Sequence, residues 1–131
     1  MTMQSGRATI SLTADANVVV DDLCARFPFS ERMDAAKVGI AHAVRAAMTP
    51  SGRDRAPGSG TGTTWNVGSF DNDGQLRELV RALYPRVEED PYVLVEALMN
   101  RGLVALREEL ESRSPESLTA LLSPPEDATT R

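Results

Sequence analysis

Arg7-Ala-Thr-Ile-Ser-Leu-Thr13, followed by Ala14-Asp-Ala-Asn-Val-Val-Val-Asp-Asp-Leu-Cys-Ala-Arg-Phe-Pro28, is the stretch that decides the fold. Ala8, Ile10 and Leu12 alternate with Thr9, Ser11 and Thr13, the period of a half-buried strand. At Thr13 the period changes. Ala16, Val19, Val20, Leu23 and Phe27 recur at helical spacing, with Thr13 as the cap and Asp15 in the first turn. Pro28 ends that helix, and Ser30 reads as the cap of a second one over 31–48. Its apolar side is Met33, Ala36, Ile40, Ala43, Val44 and Ala47, and Pro50 is its expected stop. The small residues Ala36, Gly39 and Ala43 would let another helix approach closely.

Residues 49–63 hold Pro50, Gly52, Pro57, Gly58, Gly60 and Gly62 and read as a flexible loop. Residues 64–70 read as a short extended segment and Asp71-Asn-Asp-Gly74 as a turn. Leu76, Leu79, Val80 and Leu83 then mark a third helix, closed by Pro85. A fourth opens at Asp90-Pro91 and carries Val95, Leu98, Leu103, Leu106 and Leu110. Gly102 lies inside it at a propensity cost of roughly 1 kcal/mol, which predicts close packing or a kink there. The fold class expected is mainly α: a ribbon-helix-helix-like strand–helix–helix, a short extended segment and two or three further helices. A single helical domain is expected over 7–112, in three pieces: 7–48, the loop 49–63, and an extended segment plus two helices over 64–112. Residues 113–131 are expected to form a short helix and a disordered tail.

Composition narrows the function. The chain has 131 residues and a net charge of −5. Residues 1–50 are neutral on balance, while 65–131 carry seven arginines against thirteen acids. A basic footprint for DNA must therefore be local and lie in the N-terminal half. One cysteine, Cys24, and one histidine, His42, cannot supply a disulfide, a four-ligand zinc site or an obvious triad. Gly58-Ser-Gly-Thr-Gly62 lacks the Gly-Lys-Ser/Thr ending of a phosphate loop. The expectation is a cytoplasmic protein that is not an enzyme, with no cofactor, no metal and no membrane span.

Strand, helix, turn and longer helix follow one another as in a ribbon-helix-helix module, in which two chains pair their strands and read DNA with the outward face. Ile10 and Leu12 would then point to the core, and Thr9, Ser11 and Thr13 to the bases; the same pattern equally fits an edge strand on a helical domain. Over about 10–110 the chain also resembles the DndE family, the small subunit of DNA phosphorothioation systems. Trp65 and Gly68, then Leu76, Leu79 and Leu83, then Arg101-Gly102-Leu103 carry that resemblance, with the helices Ala16–Phe27 and Glu31–Ala47 before them. The chain has Phe27-Pro28-Phe29 where the family has a Thr-Gly turn, and its basic surface is reduced to scattered arginines and Lys37.

The resemblance implies a compact helical homo-oligomer without catalytic residues, whose partners in a DNA-modification complex do the chemistry. The corresponding expectation is a non-catalytic accessory subunit in DNA modification or phage defence, binding DNA weakly through its backbone. Candidate DNA-binding residues are Arg7, Thr9, Ser11, Arg26, Arg32, Lys37 and Arg45. The alternative is a ribbon-helix-helix repressor or antitoxin. Trp65 is expected to be a core anchor rather than a base-stacking platform.

Overall fold

The computed structural model describes residues 9–49, 63–88 and 90–113. Arg7, nearly all of the expected loop at 49–63, and the expected short helix and tail from Ser114 onward lie outside the described residues. The elements run β1 (Thr9–Ser11), α1 (Ala14–Arg26), α2 (Arg32–Arg45), β2 (Thr64–Asn66), α3 (Val67–Phe70), α4 (Gln75–Leu83) and α5 (Pro91–Arg113). The architecture is mainly helical, with one small antiparallel sheet.

Local rules account for most element ends. Thr13 caps α1, its Oγ1 accepting from Ala16 N at 3.2 Å. Asp90 opens α5, its Oδ1 accepting from Tyr92 N at 2.8 Å with Pro91 as the first helical residue. Two expectations for α2 need correction. Its N-cap is Glu31, not Ser30, and no side chain bonds at that cap. Its end comes at Arg45, well before Pro50. Ala47 turns left-handed at φ 56°, Met48 N bonds to Ala43 O at 2.9 Å, and Ala47 N bonds to Val44 O at 3.1 Å. This crossed pair of bonds closes the helix without the glycine that usually occupies such a position. The 64–70 segment is likewise only half extended, since α3 begins at Val67.

The sequence leaves two places for β1, a ribbon between two copies or an edge strand on a helical domain. β1 pairs with β2 of the same chain, Ile10 opposite Trp65 and Ser11 opposite Thr64. Leu12 N extends the ladder to Thr63 O at 2.9 Å. Segments far apart in sequence are thereby joined, so the strand–helix–helix and the later helices share one core. Ile10, Leu12, Leu23, Phe70, Leu98, Leu103 and Leu106 are all fully buried in it. α4 contributes Val80 and, half-buried, Leu76, whereas Leu79 and Leu83 remain 40% and 46% exposed.

α5 lies across α2 with almost no separation. A Cβ placed on Gly102 would stand 1.8 Å from Gly39 O, and one placed on Gly39 would stand 2.9 Å from Met99 O. The Gly39 Cβ would also meet Leu103 Cγ at 2.5 Å, but the two carbonyl oxygens are backbone, so no rotamer change relieves them. The small residues of α2 and the interior glycine of α5 thus have one common cause, a backbone-to-backbone crossing. Gly102→Ala should force the two helices apart and cost at least about 3 kcal/mol. Thermal melts would read this as a drop of about 10 °C or more. Ala47→Gly should act in the opposite sense, stabilising by up to about 1 kcal/mol, because glycine tolerates the left-handed backbone there.

Candidate functional site

The candidate DNA-facing residues are held by α1, α2 and β1. Ser11 is 6% exposed. Its Oγ lies 2.8 Å from Thr64 Oγ1, its N–H donates to Glu96 Oε1 at 2.9 Å, and its carbonyl accepts from Asn100 Nδ2 at 3.2 Å. The ribbon reading placed Ser11 on an open reading face; here it is enclosed between β2 and α5. Thr9 is half-buried opposite Asn66. Thr13 is spent on the α1 cap, and its own N–H donates to Asn100 Oδ1 at 3.0 Å.

Among the described residues, three of the basic candidates are engaged within the chain. Arg26 pairs with Asp22 one turn back at 3.1 Å. Arg32 is anchored three ways. Its Nη1 bonds to Asp21, its Nη2 donates to Asn17 Oδ1 at 2.7 Å, and its Nε donates to Thr63 Oγ1 at 3.2 Å. The same Asn17 oxygen accepts from Thr63 Oγ1 at 3.2 Å, so Arg32 ties α1, α2 and the entry to β2 into one knot. Three of the five N–H groups of this guanidinium are thereby committed within the protein. Lys37 stands over the Phe70 ring, its Nζ 5.2 Å from the centroid. Arg45 is exposed in the last turn of α2.

The sequence reading missed Glu96 and Asn100. They sit one turn apart on α5, 0% and 1% exposed, within a stretch buried on every side from Leu94 to Asn100. Buried polar groups of this kind require partners. Here they act together as a substitute strand for the outer edge of β1. The available signal was an acid and an amide four residues apart in an otherwise apolar run.

Asp71 is a second concealed hub. It is buried, and it accepts from Leu76 N at 3.0 Å, Arg77 N at 3.1 Å and Tyr92 Oη at 2.8 Å. The turn therefore caps α4, whose N-cap Gly74 has φ 73°, and fastens it to α5. Burial pushes the Asp71 carboxyl up. Hydrogen bonds from Leu76, Tyr92 and Arg77, together with the Lys37 charge, outweigh burial and hold the carboxyl below its ordinary value. Burial, and then the Asp71 hydrogen bond and charge, push the Tyr92 phenol up to about 12. Burial also raises Tyr84, which donates to Met48 O at 2.9 Å.

Beside this hub, Trp65 packs on Phe70 with ring centroids 5.4 Å apart. The ring is half-buried against the core, in an anchoring position.

Among the described residues two open grooves stand out. One, of about 390 Å³, lies between the start of α1 and α5, lined by Thr13, Asp15, Arg101, Val104 and Glu108 among others. The other, of about 370 Å³, lies at the end of α4, with Arg81, Tyr84, Val87, Glu88 and Leu94 on its walls. Neither is lined by His42 or Cys24. Among the described residues no three His, Cys, Asp or Glu side chains are grouped to hold a metal ion. No protein-family model, curated protein or solved structure matches the chain.

The Asp71–Tyr92 bond gives stability a limit at each end of the pH scale. The Asp71 value is depressed, so its contribution is present above the ordinary value of 3.8 and is lost as pH falls through 3.8 and below. The Tyr92 value is raised, so its contribution is complete below 10 and is lost as pH rises from 10 toward about 12. Urea unfolding at neutral and alkaline pH should show this second loss. Tyr92→Phe should make the alkaline fall shallower and lower stability at neutral pH by about 1.5–3 kcal/mol, the usual worth of a hydrogen bond to a charged group.

Proposed function

We propose that the chain is a non-catalytic accessory subunit of a DNA-modification or phage-defence complex in the cytoplasm. It binds protein partners, associates with itself, and touches DNA weakly through the phosphate backbone. The observation that carries this reading is the closure of β1 on both sides, by β2 on one edge and by Glu96 and Asn100 on the other. A ribbon-helix-helix repressor or antitoxin needs that strand free to pair with a second copy and to present hydroxyl groups to bases. The accessory reading needs neither.

Three further features support it. Arg26 and Arg32 are engaged with Asp22 and Asp21, which suits weak rather than tight DNA contact. Leu79, Leu83 and Val87 stand exposed in and just after α4, beside an open groove, as docking to protein would require. Among the described residues no helix is long and apolar enough to cross a membrane.

The decisive experiment is capture of the tagged protein from its own host followed by mass spectrometry, with DNA-modification proteins expected in the eluate. DNA binding by the isolated protein should be salt-sensitive and indifferent to sequence. Arg45→Glu should weaken it equally on unrelated duplexes and reduce the salt slope by about one. A tight sequence-specific footprint that disappears with Thr9→Ala would replace this reading with the repressor.

A further inference from the structure

α4 is held differently from the other main helices. One of its nine residues, Val80, is buried, against four of thirteen in α1 and six of fourteen in α2. Leu76 and Tyr84 lie half-buried, while Leu79 and Leu83 are exposed. It packs chiefly on α5. Its charged side chains pair inside the helix, Glu78 standing 3.5 Å from Arg77 and 3.9 Å from Arg81. So short a helix, with so little apolar area buried, gains little stability from packing.

Hydrogen bonds fasten it at its two ends instead. At the front, the buried Asp71 carboxylate accepts from Leu76 N and Arg77 N and is itself held by Tyr92 Oη at 2.8 Å. Between that anchor and the helix stands Gly74 at φ 73°, where glycine turns freely. At the far end Tyr84 Oη donates to Met48 O at 2.9 Å, just past the closure of α2. Residues 85–88 beyond it are exposed, and α5 begins at Pro91. Tyr84 is also a wall of the groove at the end of α4, and Met48 a wall of the groove between α1 and α5, so one bond joins the two.

We propose that α4 is a strap that opens by itself, pivoting at Gly74 when the Tyr84–Met48 bond breaks, while the rest of the core stays folded. Closed, it covers Val80. Open, it presents Leu76, Leu79, Val80 and Leu83 on one helix face and widens the groove that Leu94 lines. Phe70, fully buried, and Asp71 keep the chain before the pivot in place. Proteins open in such units where few apolar contacts are buried.

Native-state hydrogen exchange in graded, sub-denaturing urea tests the strap. In the wild type the α4 amides of residues 79–84 should exchange about a hundred-fold or more faster than those of residues 98–106 in α5, and with little dependence on urea. Val19→Ala trims a side chain buried on α1. It should speed exchange in α5 about ten-fold and leave α4 unchanged, because Val19 stays packed when the strap is open. Tyr84→Phe should keep the wild-type circular dichroism and speed exchange in α4 about ten-fold, the loss of one hydrogen bond. If Val19→Ala fails to fold, the urea dependence of the wild type decides. Amides of α4 and α5 that merge into one opening, with one free energy and one urea slope, overturn the strap. Exchange in α4 that is indifferent to Tyr84→Phe overturns the clasp.

Discussion

Gly39 and Gly102 bring the backbones of α2 and α5 into direct contact, and the rest of the arrangement depends on that distance. Once the axes are this close, the residues two and six positions before Gly102 on α5 reach the N-terminal strand. Asn100 and Glu96 then meet Ser11 and Thr13 at ordinary hydrogen-bond lengths. An extra methyl group at the crossing would not merely crowd two helices. It would withdraw the polar side chains that close the edge of β1, leaving buried donors and acceptors without partners.

Among the described residues, several polar and charged side chains hold the protein together. Arg32 joins α1, α2 and Thr63; Asp71 joins a turn, α4 and Tyr92; Glu96 and Asn100 close the edge of a strand. Each is a residue type that, seen only as a letter, could have served DNA, metal or catalysis. Their engagement shifts attention from side-chain chemistry to surfaces, namely the exposed apolar residues in and after α4.

Local periodicity made much of the fold legible. A strand at Thr9–Ser11, the Thr13 cap, the Asp90-Pro91 start and the small residues of α2 all correspond to structural features, whereas the expected in-and-out alternation fails at Ser11, which is buried with Ile10 and Leu12. Gly102 was readable as a site of close approach because an interior glycine costs helix stability unless something needs the space. What local patterns do not carry is partnership between distant segments. Nothing in Thr9–Ser11 indicates that its strand partner is Thr64–Asn66 rather than a second copy. The Schellman-type closure at Ala47 was hidden because alanine seldom adopts a left-handed backbone, so Pro50 looked like the stop. The candidate DNA residues were chosen by charge and position. Charge alone says nothing of the acids at Asp21 and Asp22 that lie beside them in space.

The edge cover of β1 also bears on the order in which the chain assembles. Ser11 and Thr13 receive their partners from residues 85 to 89 positions later. During synthesis the strand therefore emerges early and waits, its hydrogen-bonding groups facing water, until Glu96 and Asn100 have been added. α1 and α2 form from neighbouring residues and need no such delay. Contacts this remote carry a higher loop-closure cost than those within α1 and α2. Ser11 and Thr13 therefore gain their partners only once the chain through Asn100 has been made.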